Sequence, residues 1–264
     1  MRNYPSFNYK VAGPEGAPWI TFIPGIGNDG SFWALQAEAL AGDFRVLTFD
    51  PWGHGDSPMP PAYCGFDDTV AGIVNLWDEL GIAKSSVVGL GFGGSTALAL
   101  GLKFPGRIER VVACACRPRQ PDNRRDFWRD RMQKAQNGGL KKLGGITVDR
   151  WLSEEFRQAH PEVDQRLRTM IQRTTPDGYC AYVRSFIEMD FDADLENLSV
   201  PVLLVAAEFD HGGGPVEDMI AMSKRIPGAQ LEIVQGSGHI VNHEKPEEVT
   251  SILRSYLLQS RKKS

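Results

Sequence analysis

Short apolar runs rich in β-branched residues alternate along the chain with longer stretches of helical spacing. "WITFIPG", "FRVLTFDP", "SSVVGLG", "IERVVACAC", "VPVLLVAAE" and "AQLEIVQG" are each of strand length and bounded by Gly, Pro or Asp. Three are almost wholly apolar, the pattern of strands covered on both faces. Between them, "DDTVAGIVNLWDEL" places Val70, Ile73, Val74, Trp77 and Leu80 on one helical face. "STALALGLKF" and "PEEVTSILRSYLLQ" also read as helices, the second opened by Pro246 with acids behind it. This alternation predicts an α/β fold with a mostly parallel central sheet flanked by helices.

The alternation stops between about Arg117 and Asp194. That stretch is polar, with helical patterns such as "RRDFWRDRMQKAQ" and "VDRWLSEEFRQ" and glycine pairs at 138–139 and 144–145. It predicts an inserted helical cap over residues 117–194, with 1–116 and 195–264 forming the core. Charge sharpens the division. From Arg117 to Asp190 there are 15 basic and 11 acidic residues, a net of +4, while the whole chain carries −4, leaving −8 on the remainder. A basic cap over an acidic body suits an anionic small-molecule substrate; the plainer reading of most of these charges is a solvated helical surface. Nothing in the balance points to nucleic acid. No apolar run has the length of a membrane span or a signal peptide, so a soluble cytoplasmic protein is the expectation. Cys114 and Cys116 alternate in "RVVACAC" and are expected on one face of one strand. They and Cys64 and Cys180 read as free thiols in a reducing compartment. No Cys-x-x-Cys or His-x-x-x-His spacing suggests a metal, and no cofactor is expected.

Candidate chemistry falls just past the strands, where open parallel sheets bind ligands. "PGIGNDG" follows the first run and "DPWGHGDSP" the second. "AAEFD" and "GSGHIVNHEKPEEV" place Asp210 and His239 after the last two. "VVGLGFGGSTALAL" reads as strand, glycine-rich turn and helix, the setting of a Gly-x-Ser-x-Gly-Gly nucleophile turn, with Gly91 where the serine would stand.

These motifs, in this order, resemble the α/β-hydrolase superfamily over nearly the whole chain. "NGGLKKLGGITVDRWLSEEF", "TPDGYCAYVRSFIEMDF" and the run into "SVPVLLVAAEFD" resemble its 3-oxoadipate enol-lactonase branch. The resemblance implies His239 as general base, and Asp210 as the acid orienting it, with Glu208 the alternative. It implies the N–H groups of Ile26 and Phe92 as an oxyanion hole and a small anionic lactone or ester as substrate. His54 reads as a turn residue, His243 as structural, and Trp52 as a packing replacement for an arginine. Trp33, Phe92, Trp128 and Trp151 are candidates for an apolar pocket wall. Arg117, Arg124, Arg125 and above all Arg131 are candidates for gripping a carboxylate. The loop "DHGGGP" after Asp210 departs from the family pattern.

Gly91 offers no nucleophile. Ser95 lies one helical turn deeper, and Ser57 and Ser237 lack the turn. Three readings stay open: a serine hydrolase whose nucleophile is replaced, so that no acyl-enzyme forms; a protein in which His239 and the oxyanion hole activate water or abstract a proton, as a direct hydrolase, lyase or isomerase; and a non-enzymatic binding protein. The sequence sets neither the substrate nor the oligomeric state.

Overall fold

The computed structural model describes residues 4–61 and 64–259. Seven strands form one sheet: β1 (Tyr9–Ala12), β2 (Trp19–Ile23), β3 (Arg45–Phe49), β4 (Ser85–Leu90), β5 (Ile108–Cys114), β6 (Val202–Ala207) and β7 (Gln230–Val234). Their spatial order is β1-β3-β2-β4-β5-β6-β7. Only β1 runs antiparallel, against β3. Burial follows position in the sheet: every residue of the central strands β4 and β6 is buried, the polar Ser85 and Ser86 of β4 included. β1, short and mostly exposed, carries no core signal and escapes the sequence pattern.

Helices cover both faces of the sheet, as parallel crossovers require. They are α1 (Ala34–Leu40), α2 (Phe66–Glu79), α3 (Phe92–Lys103), α9 (Val216–Arg225), α10 (Val241–Glu244) and α11 (Pro246–Leu257). α2 buries Val70, Ile73 and Trp77 as its spacing predicts, and adds Phe66 and Leu76; Val74 and Leu80 are only half-buried. α3 is buried from Phe92 through Gly101 and forms the centre of the molecule.

Between β5 and β6 come five helices: α4 (Asp122–Gly138), α5 (Leu140–Trp151), α6 (Glu154–Ala159), α7 (Pro161–Arg173) and α8 (Pro176–Glu188). Arg119 and Asp190 bridge the two ends of this insertion at its base. Local expectations are corrected here. "VDRWLSEEFRQ" is not one helix: α5 ends at Trp151, and Ser153 caps α6 by accepting from the Phe156 N–H at 3.2 Å. Of the two glycine pairs, 138–139 breaks the chain, with Gly139 at φ +67°, whereas 144–145 lies inside α5, where Gly144 faces Ile171 of α7. Cys114 and Cys116 also do not share a strand. β5 ends at Cys114, and Ala115 then takes φ +46°, turning the chain before Cys116. All four cysteines are free. No helix among the described residues is long and apolar enough to cross a membrane.

Candidate active site

The strand order reverses direction at β2. From there the chain goes to β3 on one side and then to β4 on the other, which opens a crevice at the carboxyl ends of β2 and β4. The loop after β2 and the turn after β4 meet in that crevice. Gly89, Gly93 and Gly94 make the turn possible. A Cβ on Gly89 would strike the Gly93 carbonyl, one on Gly93 the Ile23 carbonyl, and one on Gly94 would come within 2.8 Å of Cys116 Cβ. Gly91, at the crest, has φ +59° and ψ −120°, a conformation that strains any residue with a side chain.

His239 reaches this crest from the loop after β7. A Cβ on Gly91 would lie 3.4 Å from His239 Nε2 and 3.7 Å from Cε1, with no other atom closer. The other ring nitrogen, Nδ1, donates to Asp210 Oδ2 at 2.9 Å. The ring nitrogen at the crest is then left as a lone-pair acceptor.

The loop "DHGGGP" is built around the Asp210 carboxylate. Oδ1 accepts from the N–H groups of Gly212 and Gly213, and Oδ2 from that of Gly214, each at 2.8 Å. Burial alone would raise this carboxyl; His239 and the N–H groups of Gly214 and Gly213 more than reverse that and hold it well below the usual carboxylate range. Gly213 serves a second purpose, because a Cβ there would overlap the His239 ring. Glu208 takes no part: it is exposed and accepts from the Gly236 N–H at 2.7 Å.

The loop after β2 is anchored from the loop after β3. Buried His54 accepts from the Gly27 N–H through Nε2 at 3.0 Å and reaches the Trp52 carbonyl through Nδ1 at 2.9 Å. That pairing needs the neutral ring, and burial draws its pKa down to about 4. Asp50 adds a bond from the Gly30 N–H at 2.8 Å. Ile26 and Phe92 both line the resulting cavity. Phe92 opens α3, so its N–H is among those at a helix start with no intrahelical acceptor.

The cavity measures about 360 Å³, the size of a small-molecule site. The cap helices supply its far wall with Phe127, Trp128, Trp151, Tyr179 and Phe186. Of the three side chains expected to bind substrate, Trp128 and Arg131 line this cavity. Trp33 does not. It is fully buried beside Phe22 and Phe32, and its Nε1 donates to the Ile23 carbonyl at 3.1 Å, so it is a core residue holding the end of β2. Arg117 and Arg125 also lie off the cavity. Arg117 pairs with Asp218 and Arg125 with Asp122. Ser95 is buried and donates to the Arg117 carbonyl at 2.7 Å.

Sequence reasoning missed Phe127, Arg150, Tyr179 and Thr147 as lining residues. A signal was present. Arg124, Phe127, Trp128 and Arg131 fall at i, i+3, i+4 and i+7, and Thr147, Arg150 and Trp151 repeat the spacing on the next helix. Charge on those stripes hid them among surface positions.

Residues 22–252 match the sequence model of a family described as "Alpha/beta hydrolase family". The chain is 27% identical to 3-oxoadipate enol-lactonase 1 of Acinetobacter baylyi over 252 residues, 96% of this chain and 93% of that one. It is 26% identical to 3-oxoadipate enol-lactonase 2 of the same organism over 242 residues, 92% of this chain and 89% of that one. The crystal structure of the enol-lactonase from Burkholderia xenovorans LB400 superimposes with a TM-score of 0.92 at 28% identity, covering 97% of this chain and all of that one.

Proposed function

The chain belongs to the alpha/beta hydrolase family, and from that premise we propose that it opens a small anionic lactone or ester by attack of water rather than of a side chain. The observation that carries this reading is the aim of His239. Its Nε2 points at an empty crest, 3.4 Å from where a Cβ of residue 91 would be. The space a serine side chain would fill is left for a water molecule in a polar surround.

The steps follow from the geometry. His239 Nε2 accepts a proton from that water while Nδ1–H holds its bond to Asp210. The hydroxide adds to the acyl carbon. The N–H groups of Ile26 and Phe92 receive the negative charge that develops on the carbonyl oxygen, a contribution commonly of 10²–10³-fold for a single donor. Collapse breaks the acyl C–O bond, and the imidazolium returns its proton to the leaving oxygen. Asp210 stays ionised and stabilises the imidazolium throughout. Support comes from what a merely structural chain has no need of: an ionised, triply bonded acid, a glycine cleared for the imidazole, and a cavity walled by aromatic and basic side chains.

A second reading has its own observation. Gly91 keeps the strained φ of +59° and leaves room for a side chain, as in the scaffold of a serine hydrolase without its nucleophile. The two separate on one experiment, hydrolysis of small carboxylate-bearing lactones and esters by the parent, His239→Ala and Gly91→Ser. Water activation is expected to give steady turnover by the parent without a burst, lowered by about 100-fold or more in His239→Ala. An inert parent with an active Gly91→Ser establishes the second reading. Binding without turnover by every version identifies a receptor.

A further inference from the structure

Three guanidinium groups, those of Arg124, Arg131 and Arg150, line the one cavity that holds His239. All three gather on Phe127. Their central carbons lie 5.0, 5.5 and 4.6 Å from its ring centroid, in that order. No carboxylate among the described residues pairs with any of them. The two acids nearest the cavity are committed elsewhere. Asp149 is bound to Arg157 at 2.7 Å and Arg168 at 2.5 Å, and Asp210 to His239 and three N–H groups.

The three divide into two anchor points. Arg131, buried in α4, is held from behind: Nε donates to the Tyr179 hydroxyl at 3.0 Å and Nη2 to Thr147 Oγ1. Arg124 and Arg150 converge on the acid loop. Arg124 Nη2 donates to the Gly212 carbonyl at 2.8 Å, and a Cβ on Gly212 would lie 3.8 Å from that nitrogen and 3.5 Å from Arg150 Nη2. Arg124 Nε is shut off from solvent without an acceptor. Burial, and then neighbouring cations (Arg117, Arg150 and Arg131 on Arg124, and Arg131 on Arg150), draw both arginines below the usual guanidinium range, against an opposing pull from the Asp210 carboxylate that does not cancel them. Like charges gathered in a half-dry cavity are unfavourable unless something else supplies the counter-charge.

We propose that the ligand supplies it with two carboxylates at once, one on Arg131 and one on the Arg124–Arg150 pair, so that the substrate is a lactone or ester bearing two free carboxylates beside its acyl group. This rests on the hydrolytic reading for the word "substrate"; the two anchor points stand without it. Hydrolysis then adds one water and breaks the acyl C–O bond: a lactone yields a tricarboxylate bearing a hydroxyl or ketone on the same molecule, and an ester yields the new carboxylate and a separate alcohol, the two original carboxylates staying on the part that bore them. Bidentate pairing suits guanidinium and carboxylate, and lysine would not reproduce it.

The test is titration calorimetry on the full chain at low salt, with glutarate and adipate against pentanoate and hexanoate. A dicarboxylate is expected to bind at least tenfold more tightly than the monocarboxylate of equal length. Arg131→Gln and Arg150→Gln are each expected to remove that advantage. Arg150 is exposed, only part of its side chain turned into the cavity, and no hydrogen bond ties it to another of the described residues, so its variant carries the test even where Arg131→Gln unfolds. His239→Ala is expected to keep the advantage, so loss of hydrolysis and loss of anion recognition read separately. Equal binding of mono- and dicarboxylates overturns the proposal, as does an advantage that depends on one anchor point alone.

Discussion

Gly213 lies under the His239 imidazole so closely that any side chain there displaces the ring. Gly213→Ala is therefore expected to lower kcat by about 100-fold, the cost of misplacing a base by an ångström, and, because the same Cβ would crowd the Ala115 carbonyl at 2.9 Å, to lower the melting temperature as well. Steady-state kinetics beside a melting curve checks both. His54 makes a different kind of prediction. Its pKa falls from 6.5 in the unfolded chain to about 4 in the fold, so the unfolded state takes up the proton first. The stability this ring contributes is complete above pH 6.5 and is lost as the pH falls toward 4, by roughly 3 kcal/mol in all. Melting temperatures taken between pH 7 and 4 are expected to fall, with a shallower slope in His54→Gln. His239 and Asp210 were legible as residues, because each follows a strand end inside a short motif. The purpose of "HGGG" was not. Three N–H groups converge on one carboxylate only when the backbone has turned, and nothing in the residue types states that turn.

At the scale of elements, the short helix α10 joins the body to the cap through Glu244. Its carboxylate is buried; Oε2 accepts from the Gly238 N–H, next to the candidate base, and Oε1 accepts from the Ser153 N–H at 2.8 Å, where α5 gives way to α6. The break in the cap and the histidine loop thus share one acceptor group. Glu244→Gln keeps the shape but turns one acceptor into a donor facing an N–H. A cost of about 1–3 kcal/mol is expected, a drop of several degrees in melting temperature for a chain of this size. With it should come a fall in kcat exceeding any change in KM. An unchanged kcat would show the tie to be structural only. The strands of the central sheet were readable because β6 is apolar along its whole length and β4 and β5 each carry a β-branched apolar run toward their carboxyl ends. β1 was not, being an exposed edge of four residues. The α5–α6 break was hidden because a serine within a charged helical pattern reads as a surface position until its hydroxyl is seen capping the next helix.

Across the whole molecule, the net charge of −4 repels anions while the stretch from Arg117 to Asp190 carries +4. Raising ionic strength from about 0.01 to 0.5 M shortens the screening length from about 30 Å to under 8 Å. With an anionic substrate, kcat/KM is expected to fall severalfold over that range, with kcat nearly constant. The basic excess of the cap was legible from composition, but which arginines face inward was not. Arg117 and Arg125 read the same as Arg124 until the fold assigns them carboxylate partners. The bare crest at Gly91 has a last consequence at this scale. Fluorophosphonates and sulfonyl fluorides, the reagents by which hydrolases of this architecture are found in cell extracts, work by bonding to a hydroxyl at that place. Gly91 gives them no atom to hold, so this chain should stay dark at that turn in activity-based labelling.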